Sequence, residues 1–282
     1  MLPAVVKLCC GISYPHLRNM AGLQRAAVAV IGQEITQLQR WGWIQHPTRA
    51  PAKFRYNEPG GEAVNQMKDQ LFYVKKGQEA LKKALRVLES KEGWKVEITE
   101  SNGDVIYSKV MPGGRRVFRL ESVLEAGVDE LYDILFLRVE EMHKWNPSIQ
   151  QIKVLKHVGS ETIVTHEVSA QTAGNLIGQR DFVCVRHSRK YKSDLYLSGE
   201  AIQLESFPPL AGFVRAEDGP SCILLHALGA KITHFTWLLN MDVKGWLPKS
   251  IVNQALPRAQ LDFTQHLRRH LTASARPSWA RI

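Results

Sequence analysis

The first regular pattern in the chain is a series of apolar residues at helical spacing. Apolar residues three or four positions apart are typical of a helix that buries one face. The series consists of Val64, Met67, Leu71, Val74, Leu81, Leu85 and Leu88. It predicts a helix over Glu62–Ser90, which Gln78 interrupts on its apolar side.

Three short segments then alternate between polar and apolar residues, as half-buried strands do. The predicted strands are Trp94–Thr99, Val105–Val110 and Arg116–Val123, with turns at Asn102-Gly103-Asp104 and Pro112-Gly113-Gly114 between them. Helical spacing returns over Val128–Met142. This second helix should end before Asn146-Pro147, because the residue ahead of a proline disfavours helix.

Strands dominate the next hundred residues. The predicted strands are Ile149–His157, Glu161–Ser169, Arg180–Arg189, Leu195–Gln203, Gly212–Glu217, Ser221–Leu228 and Thr233–Asp242. A last helix should begin at Pro248, a favourable first helical residue, and run to about Leu271. Its predicted apolar face is Val252, Leu256, Ala259, Phe263, Leu267 and Leu271. Pro257 lies inside this helix, so we expect a kink or a break near Asn253–Leu256.

The order of these elements predicts an α+β fold. Strands without intervening helices pair as antiparallel hairpins. One long amphipathic helix beside so wide a sheet indicates a curved sheet that closes around the helix and leaves a hollow between them.

Composition places the chain among globular proteins. Of its 282 residues, 44% are hydrophobic and 23% are charged, which separates it from disordered and fibrous proteins. The longest aliphatic run, Ala26–Ile31, is far shorter than the roughly 20 residues that span a bilayer, so we expect no transmembrane helix. Four cysteines, two of them adjacent, predict no disulfide scaffold.

The net charge of +10 is concentrated in the first fifth of the chain. Residues 1–57 carry seven bases and one acid, Glu34, and therefore +6 of the total, whereas the remainder carries +4. An amphipathic, acid-poor and arginine-bearing start is typical of a mitochondrial transit peptide, so we predict a targeting leader and linker over 1–60. The alternative is a basic arm that binds nucleic acid or anionic lipid.

The sequence contains no motif for covalent or metal-assisted catalysis. It lacks GxSxG, HExxH, GxxxxGK[ST] and GxGxxG, so we expect a protein that is not an enzyme and has no cofactor. His266 and His270 are four residues apart on the last helix, but no third ligand is evident. We therefore expect no metal site and two solvated histidines.

Two charged residues lie inside apolar strands. Glu167 shares strand parity with Ile163, and Arg186 shares parity with Phe182 and Cys184. If those faces point inward, the carboxylate and the guanidinium form an interior pair with hydrogen-bonding capacity left for a ligand hydroxyl. The alternative is a surface ion pair. Parity does not decide between them, because valines make the opposite faces equally apolar.

The connection between these two strands, Ala170–Gln179, is longer than a tight hairpin. It predicts either a flap over the mouth of a cavity or a long surface loop.

Several ordered blocks of residues resemble the START family of lipid-binding domains. The blocks are Trp145-Asn146-Pro147, Thr165-His166-Glu167, Ala173-Gly174-Asn175-Leu176, Arg180-Asp181-Phe182-Val183, Arg186, Arg215-Ala216-Glu217, Gly219-Pro220, Thr236-Trp237-Leu238-Leu239 and Lys244 to Ile251. The leader, with Lys7-Leu8-Cys9 and Arg18-Asn19-Met20, resembles that of a mitochondrial member of the family. The resemblance implies a helix-grip START fold over 61–275, a cavity that holds one cholesterol, and a tail at 276–282.

The same resemblance implies a function. It indicates a monomeric cholesterol carrier that delivers its ligand to the inner mitochondrial membrane for steroid hormone synthesis. The implied partners are the mitochondrial membrane surface and the import machinery, with no nucleic acid, and the implied place of action is the outer membrane, before or during import. The alternative is a START-type carrier of another sterol or of a phospholipid.

The resemblance also assigns residues. The positions that match the charged pair of the family's cavity, its ligand contacts and its gating terminal helix are Glu167, Arg186, Met142, Trp145, Phe263 and Leu271. Gln179 stands where the family has a proline, which predicts a looser flap. Ser193 ends a basic segment that matches the family's phosphorylation segment only in part, since paired arginines are missing.

Overall fold

The computed structural model describes residues 61–171 and 178–275. The predicted leader over 1–60, most of the predicted flap (172–177) and the tail at 276–282 lie outside the described residues. The elements are α1 (Gly61–Glu89), β1 (Lys95–Thr99), β2 (Val105–Val110), β3 (Arg116–Leu124), α2 (Val128–Tyr132), β4 (Ile149–Val158), β5 (Thr162–Ser169), β6 (Arg180–Tyr191), β7 (Asp194–Ala201), β8 (Val214–Arg215), β9 (Glu217–Asp218), β10 (Ser221–Gly229), β11 (Ile232–Leu239), β12 (Met241–Asp242) and α3 (Lys249–Ala275). No helix in these ranges is long and apolar enough to cross a membrane.

The predicted antiparallel sheet is confirmed. Its strands lie in the order β1-β2-β3-β11-β10-β7-β6-β5-β4, and every neighbouring pair along this path is antiparallel. The short β8 adds to β6 in parallel, and β9 pairs with β12 apart from the main sheet. Strands that follow one another in the chain mostly lie side by side, as hairpin connections require.

Helices cover both faces of this sheet. On the face that we call outer, Tyr73, Leu81 and Ala84 of α1 lie in apolar clusters with strand residues. The strand residues of those clusters include Val117, Val158, Val164, Val183, Val185, Cys222 and Leu238. On the opposite, inner face, α3 packs in the main core cluster, whose strand residues include Leu120, Ile163, Leu195, Leu197, Leu225 and Phe235. Successive strand residues point to opposite faces, so both sets of side chains are buried.

A glycine allows α1 to approach the sheet closely. A Cβ atom added at Gly77 would lie 2.5 Å from the Cβ atom of His187 on β6. The Ser198 hydroxyl on β7 donates a hydrogen bond to the Gly77 carbonyl at 3.2 Å. The position therefore has no room for a side chain.

The predicted helix Val128–Met142 is helical, but it is an α-helix only as far as Tyr132. A π turn follows over Asp133–Leu137, in which the Arg138 amide donates to the Asp133 carbonyl at 2.8 Å, and a 3₁₀ helix covers Val139–Lys144. The wide turn buries three consecutive side chains, those of residues 134, 135 and 136. A regular α-helix buries residues three or four apart, so apolar spacing alone did not reveal this turn.

The terminal helix differs from its prediction in two respects. Pro257 lies within one continuous helix, so the break considered for Asn253–Leu256 is absent. Ala259 is exposed, and the buried face instead contains Gln260 and Thr264. These polar side chains are buried because Gln260 donates to the Trp237 carbonyl at 3.1 Å and Thr264 donates to the Gln260 carbonyl at 2.8 Å.

Candidate functional site: a charged pair between the sheet and the terminal helix

The structure decides the orientation of Glu167 and Arg186. In the β5–β6 pairing, Arg186 lies opposite Ile163 and Glu167 lies opposite Phe182, without a bulge between them. Ile163 belongs to the core cluster of the inner face. Glu167 is four residues from Ile163 on the same strand, so the pair faces α3 and not bulk solvent.

The two side chains form a close ion pair with capacity to spare. Arg186 donates from Nε and Nη2 to Glu167 Oε1, at 2.9 and 2.6 Å. The Thr165 hydroxyl donates to the same oxygen at 2.9 Å. Among the described residues, Glu167 Oε2 and Arg186 Nη1 have no hydrogen-bond partner. One acceptor and one donor are therefore free for another molecule.

The two side chains are only partly buried. Arg186 keeps 25% of its side-chain surface accessible and Glu167 keeps 18%, although both lie on the face that α3 covers. Burial disfavours the guanidinium charge, but the Glu167 carboxylate outweighs that effect and raises the pKa of Arg186. The Arg186 guanidinium therefore stays charged.

Two further titratable groups adjoin the pair. Burial raises the pKa of the Cys184 thiol, so this residue is the small buried group that its strand context predicted. Burial, with a smaller contribution from Glu167, also raises the pKa of Asp218 to about 7. Asp218 lies in the segment Glu217-Asp218-Gly219-Pro220, where glycine and proline favour a turn, so no pattern in the sequence indicated an interior carboxyl.

The predicted aromatic contacts gather around α3. The ring of Phe263 lies 5.4 Å from that of Trp145 and 4.9 Å from that of Trp237, a neighbour that we did not predict. Met142 and Leu271 are buried in the same core cluster. Trp145 and Phe263 are partly buried and pack against this cluster, while the contact of the six predicted site residues with a ligand stays a prediction.

A cavity of about 360 Å³ lies at the start of α3. Its lining combines apolar side chains with a basic rim, and includes Met241, Val252, Leu256, Arg115, Lys244 and Lys249. Its volume is within the range of ligand pockets, about 300–1,000 Å³. Glu167 and Arg186 are not part of this lining, so the cavity and the charged pair are separate features of the domain.

The described end of the flap is held by hydrogen bonds. Gln179 Nε2 donates to the Ser169 carbonyl at 2.9 Å and to Gln150 Oε1 at 2.5 Å. Arg180 Nε donates to the Val243 carbonyl at 3.2 Å, which ties the start of β6 to the segment before α3. Gln179, which was expected to loosen the flap, contributes hydrogen bonds at its carboxyl-terminal end.

A buried charge cluster fixes the outer face near the same end. Asp181 is inaccessible, and it accepts hydrogen bonds from Arg215 Nε at 3.0 Å and from Arg215 Nη2 at 2.8 Å. His166 Nε2 lies 3.1 Å from Oδ2 of this carboxylate, the oxygen that also accepts from Arg215 Nη2. Burial would raise the pKa of Asp181, but the hydrogen bonds and charges of Arg215 and His166 together outweigh burial and lower it.

Two remaining predictions concern the surface. His270 is not fully solvated, because its ring stacks on that of Trp145 with 5.5 Å between the ring centres. Its partial burial lowers the pKa of the imidazole. Ser193 is exposed in the β6–β7 turn, where its hydroxyl donates to Asp194 at 3.5 Å. Its phosphorylation stays a prediction.

A covered apolar interior with one ion pair suits the binding of an amphipathic molecule, and comparisons with known proteins agree. The START domain profile matches residues 75–276, and this chain belongs to the START family. The predicted START fold is confirmed. The solved structure of human StAR-related lipid transfer protein 5 superimposes with a TM-score of 0.66 at 20% identity, covering 73% of this chain and 100% of that one. A STAR-related lipid transfer protein from Xanthomonas axonopodis gives 0.55 at 21% identity, covering 64% and 99%.

Within the family, the chain is similar to steroidogenic acute regulatory proteins. It is 45% identical to the mitochondrial steroidogenic acute regulatory protein of Danio rerio, over 95% of each chain. It is 44% identical to that of Homo sapiens, over 96% of each chain. The similarity therefore extends beyond the START domain into residues 1–60.

Proposed function

We propose that this protein binds cholesterol between the sheet and α3 and delivers it to the inner mitochondrial membrane for steroid hormone synthesis. The proposal rests on one observation: Glu167 Oε2 and Arg186 Nη1, on a covered apolar face, have no hydrogen-bond partner among the described residues. A sterol hydroxyl both donates and accepts, so it can donate to Oε2 while accepting from Nη1. The names of the similar proteins, steroidogenic and mitochondrial, support the same ligand and destination.

Binding of this kind is strong enough to hold a sterol and weak enough to release it. Burial of about 400 Å² of sterol surface at about 25 cal/mol/Å² gives about 10 kcal/mol before any cost. Ordering of the ligand and its removal from a bilayer oppose much of that gain. We also propose that the protein acts as a carrier and not as an enzyme, and that it is a monomer.

We further propose the route. Residues 1–60 act as a transit peptide that engages the import machinery, the START domain spans 61–275, and transfer takes place at the outer membrane before or during import. The flap and α3 open at the membrane surface, the hydrocarbon end of the sterol enters first, and the hydroxyl meets the charged pair. Met142, Trp145, Phe263 and Leu271 contact the apolar part of the ligand.

The test is titration of the full-length protein with a fluorescent sterol. Arg186→Leu should weaken binding by at least tenfold, because it removes the free donor and leaves Glu167 without its partner. The matched control is Lys83→Leu. It removes the cation of an ion pair on the outer face, in which Lys83 of α1 lies 3.1 Å from Glu200, and this variant should bind sterol normally. Unchanged affinity in Arg186→Leu would exclude the pair from the site. Native mass spectrometry of the purified protein would separate cholesterol from a phospholipid or another sterol.

A further inference from the structure

The interior contains a third polar group beside the charged pair, the carboxyl of Asp218. In the β9–β12 pairing, Asp218 lies directly opposite Met241. Side chains of directly opposed residues point to the same side of a strand pair. Met241 packs against the main core cluster and lines the cavity at the start of α3. Asp218 therefore lies on the same side of the strand pair as Met241, and its carboxyl interacts electrostatically with Glu167 and Arg186.

The Asp218 carboxyl has no partner in the described part of the chain. Its Oδ1 atom is inaccessible to solvent and accepts no hydrogen bond. Its Oδ2 atom also lacks a described hydrogen bond but is not sealed in the same way. A carboxyl in an interior normally has at least one donor beside it. A carboxyl that has no such donor, and that keeps one oxygen accessible, is therefore available to bind another molecule.

The charges around Asp218 favour its neutral form. Burial and Glu167 disfavour a second negative charge, and Arg186, which opposes them, is already paired with Glu167. The neighbouring Cys184 is a protonated thiol. From the terminal helix, the buried polar side chains are the neutral Gln260 and Thr264. A protonated carboxyl would have one O–H donor to direct from Oδ2.

We propose that Asp218 is a third ligand-contacting residue, which donates a hydrogen bond from its neutral carboxyl to the oxygen of an uncharged hydroxylated lipid. This inference rests on the proposed function, since it assigns one more contact to the same ligand. The ligand hydroxyl then accepts from Asp218 and donates to Glu167 Oε2. Binding should take up a proton whenever Asp218 is ionised in the free protein.

The size of the effect follows from linkage. With a pKa of about 7, Asp218 is about 90% neutral at pH 6 and about 10% neutral at pH 8. If only the neutral form binds, the apparent Kd for dehydroergosterol, a fluorescent sterol, should rise about tenfold between these two pH values. At pH 7, each bound sterol should take up about half a proton.

The test uses the full-length protein, dehydroergosterol and three variants at pH 6, 7 and 8. Asp218→Asn keeps a donor without a charge, and it should bind at every pH as the wild type does at pH 6. Asp218→Leu lacks the donor, and it should bind about tenfold more weakly at pH 6, with no dependence on pH. Glu217→Gln alters the half-buried neighbouring carboxylate, which pairs with Lys244, and it should behave as the wild type.

Calorimetry of the wild type in two buffers of different ionisation enthalpy gives the proton uptake without any variant. Sterol binding that is equally tight at pH 6 and pH 8, with no proton uptake, would overturn the assignment of Asp218 and leave the carrier function intact. Wild-type affinity of Asp218→Leu at pH 6 would overturn it as well. Absence of sterol binding by the wild type at every pH would instead refute the carrier function together with this inference.

Discussion

Removal of Arg186 should destabilise the domain, and removal of both members of the pair should restore most of the lost stability. In Arg186→Leu, the Glu167 carboxylate keeps only the Thr165 hydroxyl, and it lies near a second acid, Asp218. The simplest response is protonation of Glu167 in the folded state. Replacement of both charges by leucine leaves no unpaired group, and buried ion pairs are often replaced in this way without loss.

The magnitude follows from the protonation equilibrium. Keeping a glutamate neutral at pH 7, when its ordinary pKa is about 4.3, costs up to about 4 kcal/mol. The pair keeps 18–25% of its side-chain surface accessible, so water reduces this penalty. We expect Arg186→Leu to lose about 3 kcal/mol of unfolding free energy at pH 7, and Glu167→Leu/Arg186→Leu to lie within about 1 kcal/mol of the wild type.

The assay is urea unfolding followed by tryptophan fluorescence, at pH 7.5 and at pH 5. The raised pKa of Glu167 in the single variant makes stability fall as pH increases from the unfolded pKa to the folded one. The deficit of Arg186→Leu should therefore be smaller at pH 5. The outer-face control Lys83→Leu should lose less than about 1 kcal/mol at either pH.

A double variant as unstable as Arg186→Leu would contradict this prediction, because the loss would then come from packing and not from an unpaired charge. An equal deficit at both pH values would contradict it as well. Sterol titration of the double variant separates stability from function: it should be well folded and yet bind poorly, because both polar contacts to the ligand are absent.

Two further predictions concern stability. Gly77→Ala should lower the unfolding free energy by about 2 kcal/mol in a thermal melt, because the new Cβ atom would lie 2.5 Å from His187 Cβ. This loss is expected although alanine favours helix. The control Gln78→Ala, at an exposed neighbouring position, should be neutral or stabilising in the same measurement. Asp181→Ala should lose about 3 kcal/mol in urea unfolding at pH 7, because Arg215 then has no carboxylate to balance its charge. The wild type should lose this contribution only below pH 4, since the lowered pKa of Asp181 makes its stabilisation present above the unfolded value. A rise in melting temperature for Gly77→Ala, or a wild-type midpoint for Asp181→Ala, would contradict the corresponding contact.

Local sequence patterns predicted most of the helices and strands, because the apolar spacing that specifies these elements is a property of residues close together in the chain. The spacing and alternation of apolar side chains predicted α1, the extent of α3 and most strands to within a few residues, whereas the predicted strand Gly212–Glu217 is divided between β8 and β9. The π turn at Asp133–Leu137 and the continuous helix through Pro257 were not predicted. Both depend on packing against the sheet, which buries neighbouring residues and holds a helix that lacks one hydrogen bond.

The sequence by itself determined the type of each element, the position of one carboxylate and one guanidinium in apolar strands, and the resemblance to START domains. It did not determine the face on which Glu167 and Arg186 lie, because the valines of both strands make the two faces equally apolar. The tertiary structure decided this, since α1 buries the valine face and α3 covers the charged one. It also revealed Asp218, because the electrostatic environment of a carboxyl depends on groups that are distant in sequence and become neighbours only when β5, β6 and β9 pack together.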